Sequence, residues 1–275
     1  MLIKLLKHEI MATGRMFLPI YIGTLILTPL LALLIRFADI EDEMGVLSVL
    51  FGMSIFGYVV MLIGIFIASF IFIVVRFYKS MTTEEGYLTF TLPVKISNII
   101  LSKLIPATIF MVLTYILFFV SLIIFTAILT AGTYSLTRLW EEILFLLPEF
   151  DGFGMRILST GLLFILSSVV SLVILVLQIY FSLAIGQLVN SYRLLLSVGV
   201  FIGTFLVIWF ISMLLYLPFQ NNYDLTMYSS FYESATQQFD YLDLATLIGL
   251  AINVVVGIGL YVPTWFIFKK KLNLE

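Results

Sequence analysis

Cysteine does not occur in the 275 residues, so disulfides, thiolate metal sites and thiol nucleophiles are excluded. Histidine occurs once, as His8 near the N-terminus, which leaves a membrane metalloprotease without ligands and a Ser/His intramembrane protease without its base. No G-x-x-x-x-G-K-[ST] stretch is present, so the chain lacks the loop that cradles nucleotide phosphates. Charged residues are only 11% of the chain against 62% hydrophobic, too little polar surface to cover a water-soluble globule. The apolar stretches hold almost no charge, which argues against a proton or sodium relay, because such transporters place ionisable side chains at membrane depth. Linkers, low-complexity tracts and internal repeats are also missing, and residues 1–275 read as a single membrane domain.

What is present is a series of six apolar stretches, at residues 17–37, 46–75, 104–131, 157–189, 194–217 and 247–268. Each reaches or exceeds the roughly 20 residues that carry a helix across a bilayer. The expected fold is therefore all-α, with six transmembrane helices in a multi-pass protein of the plasma membrane. The first stretch follows a basic start but has full spanning length and no small-residue cleavage site after it, so it is expected to stay as an uncleaved first span.

Charge between the spans alternates in sign. Lys4, Lys7, Arg15, Arg76, Lys79, Lys95, Lys103, Arg193, Lys269, Lys270 and Lys271 fall on one side with only Glu9, Glu84, Glu85 and Glu275, eleven bases against four acids. The other side has Arg36, Arg138 and Arg156 against Asp39, Glu41, Asp42, Glu43, Glu141, Glu142, Glu149, Asp151, Asp224, Glu233, Asp240 and Asp243, three bases against twelve acids. A net charge of −2 thus conceals about +7 on one side and about −9 on the other. Because Lys and Arg near span ends stay cytoplasmic, both termini are expected inside.

Four of the segments outside these stretches carry patterns of their own. In residues 1–16, Leu2, Leu5, Leu6 and Ile10 recur near helical spacing among Lys4, Lys7, Glu9 and Arg15, which fits an amphipathic helix in the cytoplasmic interface that turns into the bilayer at Pro19, or a basic anchor that only sets topology. His8 within it reads as a solvated or headgroup-facing residue. The one substantial cytoplasmic loop is residues 76–103: Thr82 or Thr83 can start a short helix, Leu88, Phe90, Leu92 and Ile96 give it an apolar side, Pro93 ends it, and a second helix starts near Ser97. Such an exposed apolar and acidic element suits docking. Outside, residues 132–156 and 218–243 carry Trp140, Leu144 and Leu147, then Tyr228, Phe231, Tyr232 and Phe239, which fit short elements resting on the outer interface. Their acids obey topology, and also suit attraction of cationic cargo.

The order of Glu85 and Gly86, then Leu92-Pro93-Val94, then Lys103 leading into a span resembles the cytoplasmic loop of type-2 ATP-binding-cassette (ABC) exporter permeases. That resemblance implies six spans with both termini inside, an amphipathic helix before the first span, and a coupling helix between spans two and three that sits in a cleft of a cytosolic ABC ATPase. Carried over by position, Glu84, Glu85, Gly86, Tyr87 and Leu88 fall on or near the coupling element. It further implies two permease halves, identical or related, and two ATPases that bind the ATP and magnesium. The chain itself is then neither an enzyme nor a cofactor protein; its partners are the ATPases, the second half and the bilayer, with no nucleic acid.

Within the spans the polar handles are few. Ser171, Gln178 and Ser182 lie seven and eleven residues apart on one face of the fourth span, and Gly249, Asn253 and Gly257 share a face of the sixth. Small and polar residues of this kind let helices pack closely. Gln178 and Asn253 alternatively line a cargo path, since an unpartnered amide in hydrocarbon costs several kcal/mol, about 2 or more. Glu84-Glu85 lacks the following arginine or partner histidine that membrane-embedded prenyl-protein proteases use. The expected function is export of an amphipathic substrate, peptide first; the competing reading is a non-transport membrane protein with an immunity or sensory role.

Overall fold

The computed structural model describes residues 2–37, 46–82, 86, 94–130, 154–189, 192–220 and 231–270. These form six long helices: α1 (Leu2–Phe37), α2 (Val46–Thr82), α3 (Ile96–Thr130), α4 (Gly154–Gly186), α5 (Arg193–Gln220) and α6 (Phe231–Lys270). All six are long and apolar enough to cross a membrane. Lipid offers no hydrogen bonds to a backbone, so an apolar run of this length closes its N–H and C=O groups internally, as helix. The 40 residues of α6 span about 60 Å at 1.5 Å per residue, twice the ~30 Å hydrocarbon core, so a large part of the helix extends beyond the apolar layer.

The helices fall into two compact units, Ile3–Arg76 with Ile105–Phe150, and Met1–Leu2 with Phe77–Leu104 and Asp151–Glu275. In the first, α1, α2 and α3 are joined by hydroxyl groups in two layers. Tyr21 donates to Phe110 O at 2.7 Å and lies 2.9 Å from Thr114 Oγ1, which is 3.1 Å from Ser69 Oγ. One heptad further along α1 and α3, Ser121 Oγ meets Thr28 Oγ1 at 2.8 Å and Tyr58 OH at 3.0 Å. Between spans, where the hydrophobic effect gives no net attraction, such bonds and close packing hold the bundle. The directions follow: Glu9, early in α1, pairs with Arg76, late in α2, while Arg36 at the end of α1 reaches Ile128 O near the end of α3. So α1 and α3 run the same way and α2 runs against them.

Three sequence expectations change here, and a fourth, the helix starting near Ser97, holds. The chain does not turn at Pro19; α1 passes through it as one helix. Proline removes one N–H from the helix, but Phe17 and Tyr21 on either side are both held to Phe110 of α3, Phe17 by ring stacking at 5.0 Å. Thr82 does not start a new helix, because α2 continues to it without a break. The third helix begins at Ile96, beside the expected Ser97, well before the apolar stretch itself begins. The sixth starts at Phe231, so residues 231–243 belong to α6 and form no separate outer element.

In the second unit, α4 packs along α6 and against α5. Arg156, near the start of α4, pairs with Asp240 of α6 at 2.9 Å, and toward the other end Ile174 meets Gly257, where an added Cβ would lie only 2.8 Å from Ile174 Cδ1. The two helices are therefore parallel. The α4–α5 connection is tight: Tyr192 takes φ 60°, and a Cβ on Gly186 would overlap Ser197 Oγ and come within 2.7 Å of Arg193 O.

Candidate functional site

The end of α2 that leads into the connection with α3 is anchored by aromatic packing. Phe77 stacks on Tyr180 of α4 with ring centroids 3.7 Å apart and planes 14° apart, and meets Phe268 of α6 edge-on at 5.9 Å. All three rings are buried, as are Ser80 and Met81 further along α2. The start of α3 contributes buried Ile99, Ile100, Ser102 and Lys103 in the same unit. The edge-on Phe77–Phe268 contact is of the kind that adds about 0.5–1.5 kcal/mol beyond its buried area, and because cores are close-packed a displacement of one ring is felt by its partners.

Of the five residues assigned to coupling, Gly86 is described; Glu84, Glu85, Tyr87 and Leu88 lie outside the described residues. Gly86 is helical and buried, and a Cβ there would lie 2.7 Å from both the carbonyl carbon and oxygen of Met81. The obstacle is backbone and cannot rotate away, so position 86 accepts only glycine without moving the chain. Most of the proposed outer elements, residues 132–153 and 221–230, also fall mainly outside the description.

The polar positions of the spans each make a side-chain hydrogen bond. Gln178 is 4% exposed and its Nε2 donates to Phe201 O and to Thr204 Oγ1 of α5, each at 3.1 Å. Ser171 Oγ donates to Ser167 O at 2.9 Å and accepts from Asn253 Nδ2 of α6 at 2.9 Å. Ser182 donates to Ile179 O of its own helix. The two amides do not meet: Gln178 ties α4 to α5, and Asn253 ties α6 to α4. Each of the two amides thus donates to at least one acceptor within the protein.

Sequence reasoning passed over the hydroxyl layers, although Tyr21 and Thr28, and Thr114 and Ser121, share a seven-residue spacing that a search for hydroxyls would have found. It also passed over the Arg76–Glu9 pair, with bonds of 3.0 and 3.2 Å, which clips the start of α1 to α2. Gly199 and Gly203 on α5 were a third omission; both are exposed, with nothing within 4 Å of an added Cβ. Among the described residues, no group of three or more His, Asp or Glu side chains could hold a metal ion. Comparison with protein-family models, with curated proteins and with solved structures yields no match to this chain.

Proposed function

We propose that this chain is one membrane half of an ABC exporter, with both termini cytoplasmic, working with a separate ATPase and a second half. The observation that carries the reading is the anchoring of α2 beside the 76–103 loop: Phe77 stacks on Tyr180 of α4 and touches Phe268 of α6. A push on this loop by an external subunit would reach α4 and α6 through packed rings. The eleven bases gathered on that side support a cytoplasmic location for it, where an ATPase has ATP. The open small-residue face at Gly199 and Gly203 of α5 suits close approach of a second permease half. An amphipathic substrate, peptide first, fits spans that carry few charges.

The test is ATP hydrolysis and export by the purified complex in nanodiscs. Glu85→Ala and Gly86→Ala are expected to lower cargo-stimulated hydrolysis and export together while size exclusion shows an intact complex, and Glu84→Ala to be milder. Full stimulation in both Glu85→Ala and Gly86→Ala complexes removes the loop from the mechanism. Purification without a stoichiometric cytosolic ATPase supports the non-transport immunity or sensory role instead.

A further inference from the structure

A cavity of about 380 Å³ opens between the start of α3 and the last turns of α6, lined by Val94, Lys95, Ile96, Ser97, Trp265 and Lys269. Its volume lies within the roughly 300–1,000 Å³ typical of small-ligand sites. Both charged lining residues are cationic, and among the described residues no carboxylate lines it. Lys269 Nζ lies 4.5 Å above the centroid of the Trp265 ring, a cation–π contact that holds the ammonium group beside the cavity. Lys95 O closes the first turn of α3 by accepting from Asn98 N–H at 2.9 Å and Ile99 N–H at 3.3 Å. The N–H groups of Ile96 and Ser97 precede those donors, in the part of a helix that has no intrahelical acceptors and carries the positive end of its dipole. The negative end of α6 opposes an anion here with about half a charge, and two full ammonium charges outweigh it.

The residue types around it are those found at a bilayer edge. Trp and Lys concentrate where apolar spans meet headgroups, and on the same helix Val262 and Phe266 are exposed, offering an apolar strip on which acyl chains can lie. We propose that this cavity binds the phosphate of an anionic lipid headgroup, with Lys95 and Lys269 pairing its oxygens, the first turn of α3 donating N–H groups, and Trp265 packing on the glycerol carbons. A lipid satisfies the apolar strip as well as the charges, whereas free phosphate satisfies the charges alone. The site depends on neither the orientation of the chain nor the presence of an ATPase.

The experiment uses the full chain, with any subunits that purify with it, reconstituted in phosphatidylcholine and titrated with phosphatidylglycerol, with retained lipid counted by native mass spectrometry. One phosphatidylglycerol is expected to remain bound to the wild type. Lys95→Gln with Lys269→Gln should raise the lipid concentration needed by about tenfold or more, on the scale of two lysines near an anionic surface. Lys4→Gln with Lys7→Gln removes the same charge elsewhere and should leave retention unchanged; Lys95→Arg with Lys269→Arg should retain the lipid, showing that the cavity tolerates substitution. Equal effects of the two glutamine pairs, or no effect of either, overturn the site. Loss of the lipid to millimolar inorganic phosphate overturns the lipid assignment.

Discussion

Asn253 of α6 donates its side-chain N–H to Ser171 Oγ of α4 at 2.9 Å, joining the two parallel helices at an exposed position of their contact. Ser171 has a single O–H, already given to Ser167 O, so it can only accept from Asn253. A double-mutant cycle of Asn253→Ala and Ser171→Ala is expected to give a coupling energy of about 0.6 kcal/mol, reaching at most about 1.7, the range for interhelical bonds in membranes. Reversible unfolding in detergent micelles measures it. Zero coupling would mean that the amide is held by something other than Ser171.

Ser121 is the shared partner of the second hydroxyl layer, meeting both Thr28 and Tyr58. Ser121→Ala is expected to cost about 1–2 kcal/mol, since two bonds are lost and two hydroxyls remain behind without this partner. Tyr58→Phe should cost less than half as much, because its ring keeps the stack on Phe125 at 3.8 Å. The same unfolding assay ranks the two; a Tyr58→Phe loss equal to that of Ser121→Ala would place the stabilisation elsewhere than in Ser121.

How far the sequence reveals such features depends on what sets each one. Hydropathy locates the six spans because burial in lipid demands length and apolarity, and those are local properties. It does not locate helix ends: the start of α3 at Ile96 is indicated by Pro93 and Ser97 and not by apolarity, and α6 starts at Phe231 rather than near Leu247, since hydrogen bonding continues where apolarity stops. Pro19 shows the same gap from the other side, a local breaker overruled by the contacts of Phe17 and Tyr21 with α3. At the candidate site, charge and spacing identify the 76–103 loop, but the Phe77–Tyr180 stack joins positions 77 and 180, and a pairing across that distance in the chain leaves no mark in either neighbourhood. Gln178 and Asn253 stand out in the sequence because amides are rare in spans; their acceptors, Thr204, Phe201 and Ser171, are of common types and do not.

Orientation is tested by thiol accessibility. Cysteines at Lys79 and Lys270 are expected to be shielded from a membrane-impermeant reagent in intact cells, and cysteines at Glu142 and Ser230 to be labelled, following the split of eleven bases to three. With no native cysteine in the background, any signal reports the introduced site. Labelling at Lys79 or Lys270 in sealed cells would reverse the assignment of sides.

The tight passage from α4 to α5, with Tyr192 at φ 60° and Gly186 against Arg193 and Ser197, bears on how the protein is made. Two spans joined this closely leave the ribosome almost together, and the connection is too short for a soluble stretch to wait between them. They are suited to enter the bilayer as a single hairpin, with Gln178 already within reach of Thr204 as the pair forms. A bulkier residue at Gly186 would then act first during synthesis, in the fraction of chains that insert, before any effect on the finished protein.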